Sequence, residues 1–166
     1  MKEVKSITST WFEVKVSGER TDESGATRRV KELYCVNAFS FTEAEARTMA
    51  YIADCGGEVV EEKIASYKEV LSRPDEESEK WYKCKVVLIT INENTGKPKR
   101  TSVYYLVNAD STAGAENIIK DFYNSSVQDY EIAAIAETSV LLRGRTERAY
   151  CQRSRQNREQ QNSHTM

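Results

Sequence analysis

The chain has 166 residues, 39% of them hydrophobic and 30% charged, with a formal net charge of −2. That length suits one domain or two small ones, and that balance a small soluble domain on the polar side. Two prolines and seven glycines exclude collagen-like and Pro/Gly-rich disordered classes, and no apolar run approaches the roughly 18 residues of a membrane-spanning helix.

In chain order, Met1 to Thr10 lacks the apolar stretch of a secretory signal, so a cytoplasmic location is expected. In Trp11 to Val16, Phe12, Val14 and Val16 alternate with Glu13 and Lys15, the period-2 pattern of a half-buried strand. Asp22-Glu23-Ser24-Gly25 has hairpin chemistry and leads to a second strand over about Val30 to Ala38. A helix is predicted over about 42–55. Ser40 is its cap, with Glu43 reaching back to the cap amide, and Ala44, Thr48, Tyr51, Ile52 and Cys55 form its apolar stripe. Gly56-Gly57 ends it, and a third strand follows over about Glu58 to Ser66. Tyr67 to Lys80 is charged and carries Pro74, and reads as a surface linker with a short helical turn.

The pattern then recurs. Trp81-Tyr82-Lys83-Cys84-Lys85-Val86 repeats Trp11-Phe12-Glu13-Val14-Lys15-Val16 seventy residues later. After a one-residue shift Tyr34-Cys35-Val36-Asn37-Ala38 meets Tyr105-Leu106-Val107-Asn108-Ala109, Ser40 meets Ser111, Glu58 meets Asp129, and Ile64-Ala65 meets Ile135-Ala136. The second copy has its turn at Asn92 to Gly96, a strand over about Thr101 to Ala109, a helix over about 111–124 and a third strand over about 130–136, with Leu142 as an outer limit. The expected fold is α+β. It is a tandem repeat of two ββαβ units (10–66 and 81–142) that share a core and are related by a pseudo-twofold axis, with antiparallel sheet and one helix per unit. Residues 143–166 form a basic tail of disorder composition: six arginines against two glutamates give it +4 and leave −6 on the rest.

Candidate chemistry is sparse. Cys35, Cys55, Cys84 and Cys151 have no CxxC spacing and no histidine close by, so no metal and no cofactor are expected. Cys84 and Cys35 take the places of Val14 and Leu106, as buried apolar groups would, whereas Cys151 lies among arginines that favour its thiolate. The carboxylates, Glu45, Glu58, Glu61 and Glu62 among them, read as solvated surface. No phosphate loop and no nucleophile elbow is present, so no enzymatic activity is expected. His164, the single histidine, lies in the tail. Trp11 and Trp81 share a strand face with Lys15, Lys83 and Lys85, a combination that can stack bases and hold phosphates. The favoured reading is that these tryptophans begin the strand and cover one end of the core, since large aromatics usually pack. Arg143, Arg145, Arg148, Arg153, Arg155 and Arg158 are candidate contacts to nucleic acid or an acidic surface.

The W-[FY]-x-[CV]-K-V strand at Trp81 to Val86, Tyr105 to Ala109, the S-F-T-E-A-E-A helix start at Ser40 and the D-Y-E-I-A-x-I-A-E-T segment at Asp129 to Thr138 resemble a domain-of-unknown-function family of gut Bacteroidota and their phages. The resemblance spans about Thr10 to Val140, brings no catalytic residues, and implies a phage or mobile-element setting, hence the host cytoplasm. The expected function is a non-enzymatic, phage-type binding protein. It acts on a protein partner or by self-association, with exposed sheet edges as one route to a homo-oligomer. Three alternatives stand beside it: a nucleic-acid-binding accessory using the Trp/Lys face and the arginine tail, a binder of a small nucleotide signal that counters host defence, and an enzyme with an unfamiliar site. No membrane contact is expected.

Overall fold

A computed structural model describes residues 3–7, 9–53 and 56–142. The elements in order are β1 (Lys5–Ile7), β2 (Trp11–Thr21), β3 (Thr27–Asn37), α1 (Phe41–Ile52), β4 (Glu58–Ile64), β5 (Tyr67–Ser72), β6 (Trp81–Ile91), β7 (Pro98–Asn108), α2 (Thr112–Tyr123), β8 (Asp129–Thr138) and β9 (Val140–Leu142). The fold is mixed α+β, with two helices and mostly antiparallel sheets. The chain divides into two compact units, one built on Thr10–Ala65 and the other on Ser66–Ser139.

In the Thr10–Ala65 unit the sheet order is β4-β2-β3-β9. The hairpin runs in continuous register from Trp11↔Asn37 to Thr21↔Thr27. Its turn closes on Asp22, whose backbone carbonyl accepts from Gly25 N at 3.0 Å, and Gly25 supplies the positive φ of 84° that the loop requires. Phe12, Val14 and Val16 face α1 and pack with Tyr34, Val36, Ala44 and Ile52. Ser40 caps α1 by accepting from Glu43 N at 3.1 Å. Glu43 reaches back one residue further than a capping box would, accepting from Phe39 N at 2.8 Å.

In the Ser66–Ser139 unit the order is β1-β5-β7-β6-β8. Tyr82, Cys84 and Val86 face α2 and pack with Tyr105, Val107, Ala115, Ile118 and Ile119. Ser111 caps α2 through Gly114 N at 3.0 Å. An aromatic cluster extends this core: the Tyr105 and Tyr123 hydroxyls lie 2.5 Å apart, and the Tyr123 ring stacks on Tyr130 at 4.4 Å.

Four features depart from the sequence reading. Tyr67–Ser72 is not surface linker but strand β5, flanked by β1 and β7, with Tyr67, Val70 and Leu71 buried. Its side chains are buried on both faces, so it shows no alternation, and the charges of residues 73–80 mask its edge. The sheets are not wholly antiparallel, since β5 pairs in parallel with β7 and β9 in parallel with β3. The unit boundaries therefore differ from 10–66 and 81–142: each segment following a third strand, β5 after β4 and β9 after β8, belongs to the other unit's sheet. Finally, the third strands align two residues differently. Glu62 lies opposite Val14 and Ile135 opposite Cys84, so Glu62 and Ile135 hold equivalent places; a bulge follows in each case, at Lys15/Val16 and at Lys85/Val86.

Candidate functional site

The residues nominated from sequence are largely engaged within the fold. Trp11 and Trp81 are 4% and 8% exposed, so neither ring presents a face on which a base could stack. Lys15 pairs with Glu61 at 2.5 Å, and Lys63–Glu13 at 3.1 Å and Arg29–Glu58 at 2.8 Å continue a ladder of ion pairs across that sheet face. Lys83 Nζ lies 4.8 Å from the Tyr104 ring centroid and 5.8 Å from that of Tyr67. Lys85 stands in register between Tyr104 and Ala134. In the Thr10–Ala65 unit the sheet brings Trp11 and Lys15 to one face, and in the other unit it brings Trp81, Lys83 and Lys85 to one face. Arg143, Arg145, Arg148, Arg153, Arg155 and Arg158, like Cys55 and Cys151, lie outside the described residues.

Cys35 and Cys84 are buried and are not in disulfides. Burial pushes the Cys84 thiol up to about 12; burial, then the Glu13 charge, hold that of Cys35 well above its ordinary range. Both are therefore protonated packing groups at neutral pH. Among the described residues no group of three or more His, Cys, Asp or Glu is placed to hold a metal ion.

Among the described residues, a surface beside each helix invites comparison. Beside α2 lies a cavity of about 520 Å³ lined by Arg73, Glu76, Asn108, Asp110, Asn117 and Asp121, among others. Its polar groups are tied to one another. Buried Arg73 donates to Asp121 at 2.5 Å. Asn108 accepts from Ser78 N at 2.9 Å and donates to Ser78 O at 2.7 Å and Lys80 O at 3.0 Å, clamping the loop that forms the rim. The outward side of α2 is polar, with Thr112, Asn117 and Lys120 exposed and Lys120 paired to Glu116 at 2.8 Å.

The outward side of α1 is apolar. Phe41 and Met49 are 46% and 43% exposed, Phe39 just before the cap is almost fully exposed, and Ala46, Ala50 and Ala53 face outward between them. Phe41 packs edge-on against Phe12 at 5.0 Å, and Phe12 pairs across the strands with exposed Ile64. Phe41, Glu45 and Met49 follow one another at i, i+4 and i+8, along the flank of α1 that adjoins β4. Within this rim stands Glu62. Being opposite Val14, it points to the helix side, where the other unit has Ile135. Its Oε1 is shielded from solvent and has no hydrogen-bond partner among the described residues. Burial raises its pKa above the ordinary glutamate range, and the Glu45 carboxylate raises it further.

Glu62 was among the carboxylates read as solvated surface. Aligning the third strands by sequence identity sets it against Ala133; only the two-residue offset and the bulge reveal that it occupies an isoleucine's place.

Fold and surface thus describe a mixed α+β protein whose distinguishing exposed feature is an apolar helix flank holding a poorly solvated carboxylate. The chain belongs to the family described as Domain of unknown function (DUF4494), whose extent here is residues 10–142. No curated protein and no solved structure matches it.

Proposed function

We propose that this chain is a non-enzymatic binding protein that engages a protein partner through the outer flank of α1. The observation that carries this reading is the contrast between the helices: Phe41, Ala46, Met49 and Ala50, with Ala53 at the cap, are exposed on α1 beside Thr42 and Glu45, whereas α2 exposes Thr112, Ala113, Asn117 and Lys120 and no large apolar side chain. An apolar flank on one unit alone is not explained by packing within that unit. Self-association by strand pairing has less support. Outer strands β4 and β8 each carry a bulge, and outer strands β1 and β9 are three residues long, both familiar devices against edge pairing.

The finer readings of fold and setting belong here as well. We propose that the two units arose by duplication. The shared element order, the serine caps and the matching bulges support this. The resemblance to proteins of gut Bacteroidota and their phages supports a role in a host cytoplasm. A nucleotide signal is a poorer fit to the cavity beside α2, where Glu76, Glu77, Asp110 and Asp121 outnumber Arg73 and Lys120 and repel phosphate. The buried tryptophans likewise offer no stacking surface on the Trp/Lys strand faces.

Photo-crosslinking tests the proposal. A benzophenone side chain at Ala50 is expected to capture a discrete protein, identified by mass spectrometry and then purified and titrated. Met49→Glu abolishes that binding, and the same probe at Asn117 captures nothing comparable. Equal capture from both helices, or binding indifferent to Met49→Glu, would exclude α1 as the docking surface.

A further inference from the structure

We propose that the α1–β4 flank takes a basic side chain, lysine or arginine, from a protein segment whose neighbouring residues are apolar. This rests on the reading of α1 as a docking surface and names what docks there.

Three observations converge. First, Glu62 is a half-buried carboxylate in a place that the other unit fills with Ile135, so it is reachable from outside, while its Oε1 has no hydrogen-bond partner among the described residues. A carboxylate oxygen in that condition gains from any donor brought to it. Second, the charge that faces it is another carboxylate, Glu45 of α1. Cations on the surrounding strands and helix are committed elsewhere: Lys63 to Glu13, Lys15 to Glu61, and Arg47 to Glu43 and the Asn37 carbonyl. In the other unit the counterpart of Glu45, Glu116, is already neutralised by Lys120. Third, the rim is apolar. Phe41 and Met49 lie one turn either side of Glu45, and Ile64 is two residues along β4 from Glu62 on the same face.

A lysine or arginine matches all three. Its alkyl stem lies along Phe41, Met49 and Ile64 while its head reaches the paired carboxylates. A guanidinium also offers the planar fork that satisfies a carboxylate with two hydrogen bonds. Flanking apolar residues of the partner then cover Ala46 and Ala50. The same two carboxylates repel nucleic acid, phosphorylated segments and acidic peptides.

The test is selection of a random twelve-residue peptide library on the immobilised full chain. Enriched peptides are expected to carry a lysine or arginine bracketed by apolar residues. A synthetic peptide of the enriched consensus is expected to bind Glu62→Gln at least about tenfold more weakly than the native chain, and Met49→Glu not measurably. Its affinity for the native chain falls as pH is lowered through the raised titration of Glu62. Unfolding midpoints of both variants establish that they are folded. Enriched peptides without a basic residue, or equal binding to Glu62→Gln, overturn the basic anchor and leave α1 standing as a docking surface. Equal binding to Met49→Glu, or no enrichment over a bare support, overturns both.

Discussion

Both helices begin on a serine in the same extended conformation, with φ of −151° in each case, and both lie over a hairpin that starts at a tryptophan. From that common start they differ in where polar groups are kept. The α2 unit has an apolar and aromatic helix-side cluster and pairs its charges, buried Arg73 with Asp121 and exposed Lys120 with Glu116. The α1 unit differs: a half-buried carboxylate stands on the helix side of its sheet, and apolar side chains stand outside its helix. One unit is arranged for its own stability, and the other gives up some stability to hold a surface unsatisfied. Regions whose local chemistry conflicts with their fold are where function is expected.

The comparison can be tested by exchange. The largest effect is expected from Asp121→Ala, which removes the closest counter-charge of buried Arg73; about 2–3 kcal/mol should be lost by urea unfolding. Next, Ile135→Glu installs the carboxylate of the α1 unit under α2 and should cost about 2 kcal/mol, read the same way. The reciprocal change, Glu62→Ile, should raise stability by about 1 kcal/mol while abolishing recognition at α1. A destabilised Glu62→Ile would mean that the carboxylate is structural and that the contrast between the units has been misjudged.

Glu62 also gives the contrast a pH dependence with a definite sign. Its pKa is raised in the folded chain, so the stability linked to its proton is fully present below the ordinary glutamate range and is lost as pH rises through the raised value. Glu62→Gln should therefore match the native chain in mild acid and exceed it at neutral pH. Parallel unfolding curves at both pH values check this. The smallest effect is expected from Cys84→Val, which restores the residue that Val14 already provides on the other unit; the change should stay under about 1 kcal/mol. In the native chain the Cys84 thiol, held at about 12, should react with a disulfide reagent only on unfolding.

The hairpins, both helices and their caps were legible because their signals are local. Alternation along Phe12, Val14 and Val16, serine three residues ahead of its amide partner, and glycine at positive φ each act within a few residues. Strand β5 was not legible, because its pairing to β7 is a long-range choice and its two buried faces erase the alternation. The α1 flank was half legible. Its residues are evident, but sequence periodicity attributes apolar residues to a core and glutamates to solvent. A two-residue slip in β4 reverses that assignment at Glu62.

The exchange of trailing strands has a consequence in time as well as in space. Strand β3 cannot acquire its outer neighbour β9 until Val140 has been synthesised, long after the hairpin and α1 are complete. At roughly 5–20 residues per second the nascent α1 unit waits on the order of several seconds before β9 covers Leu33, Tyr34 and Cys35 of β3. During that interval those three residues are open to pairing with the wrong strand, an exposure that the ribosome-bound chain has and the finished protein does not.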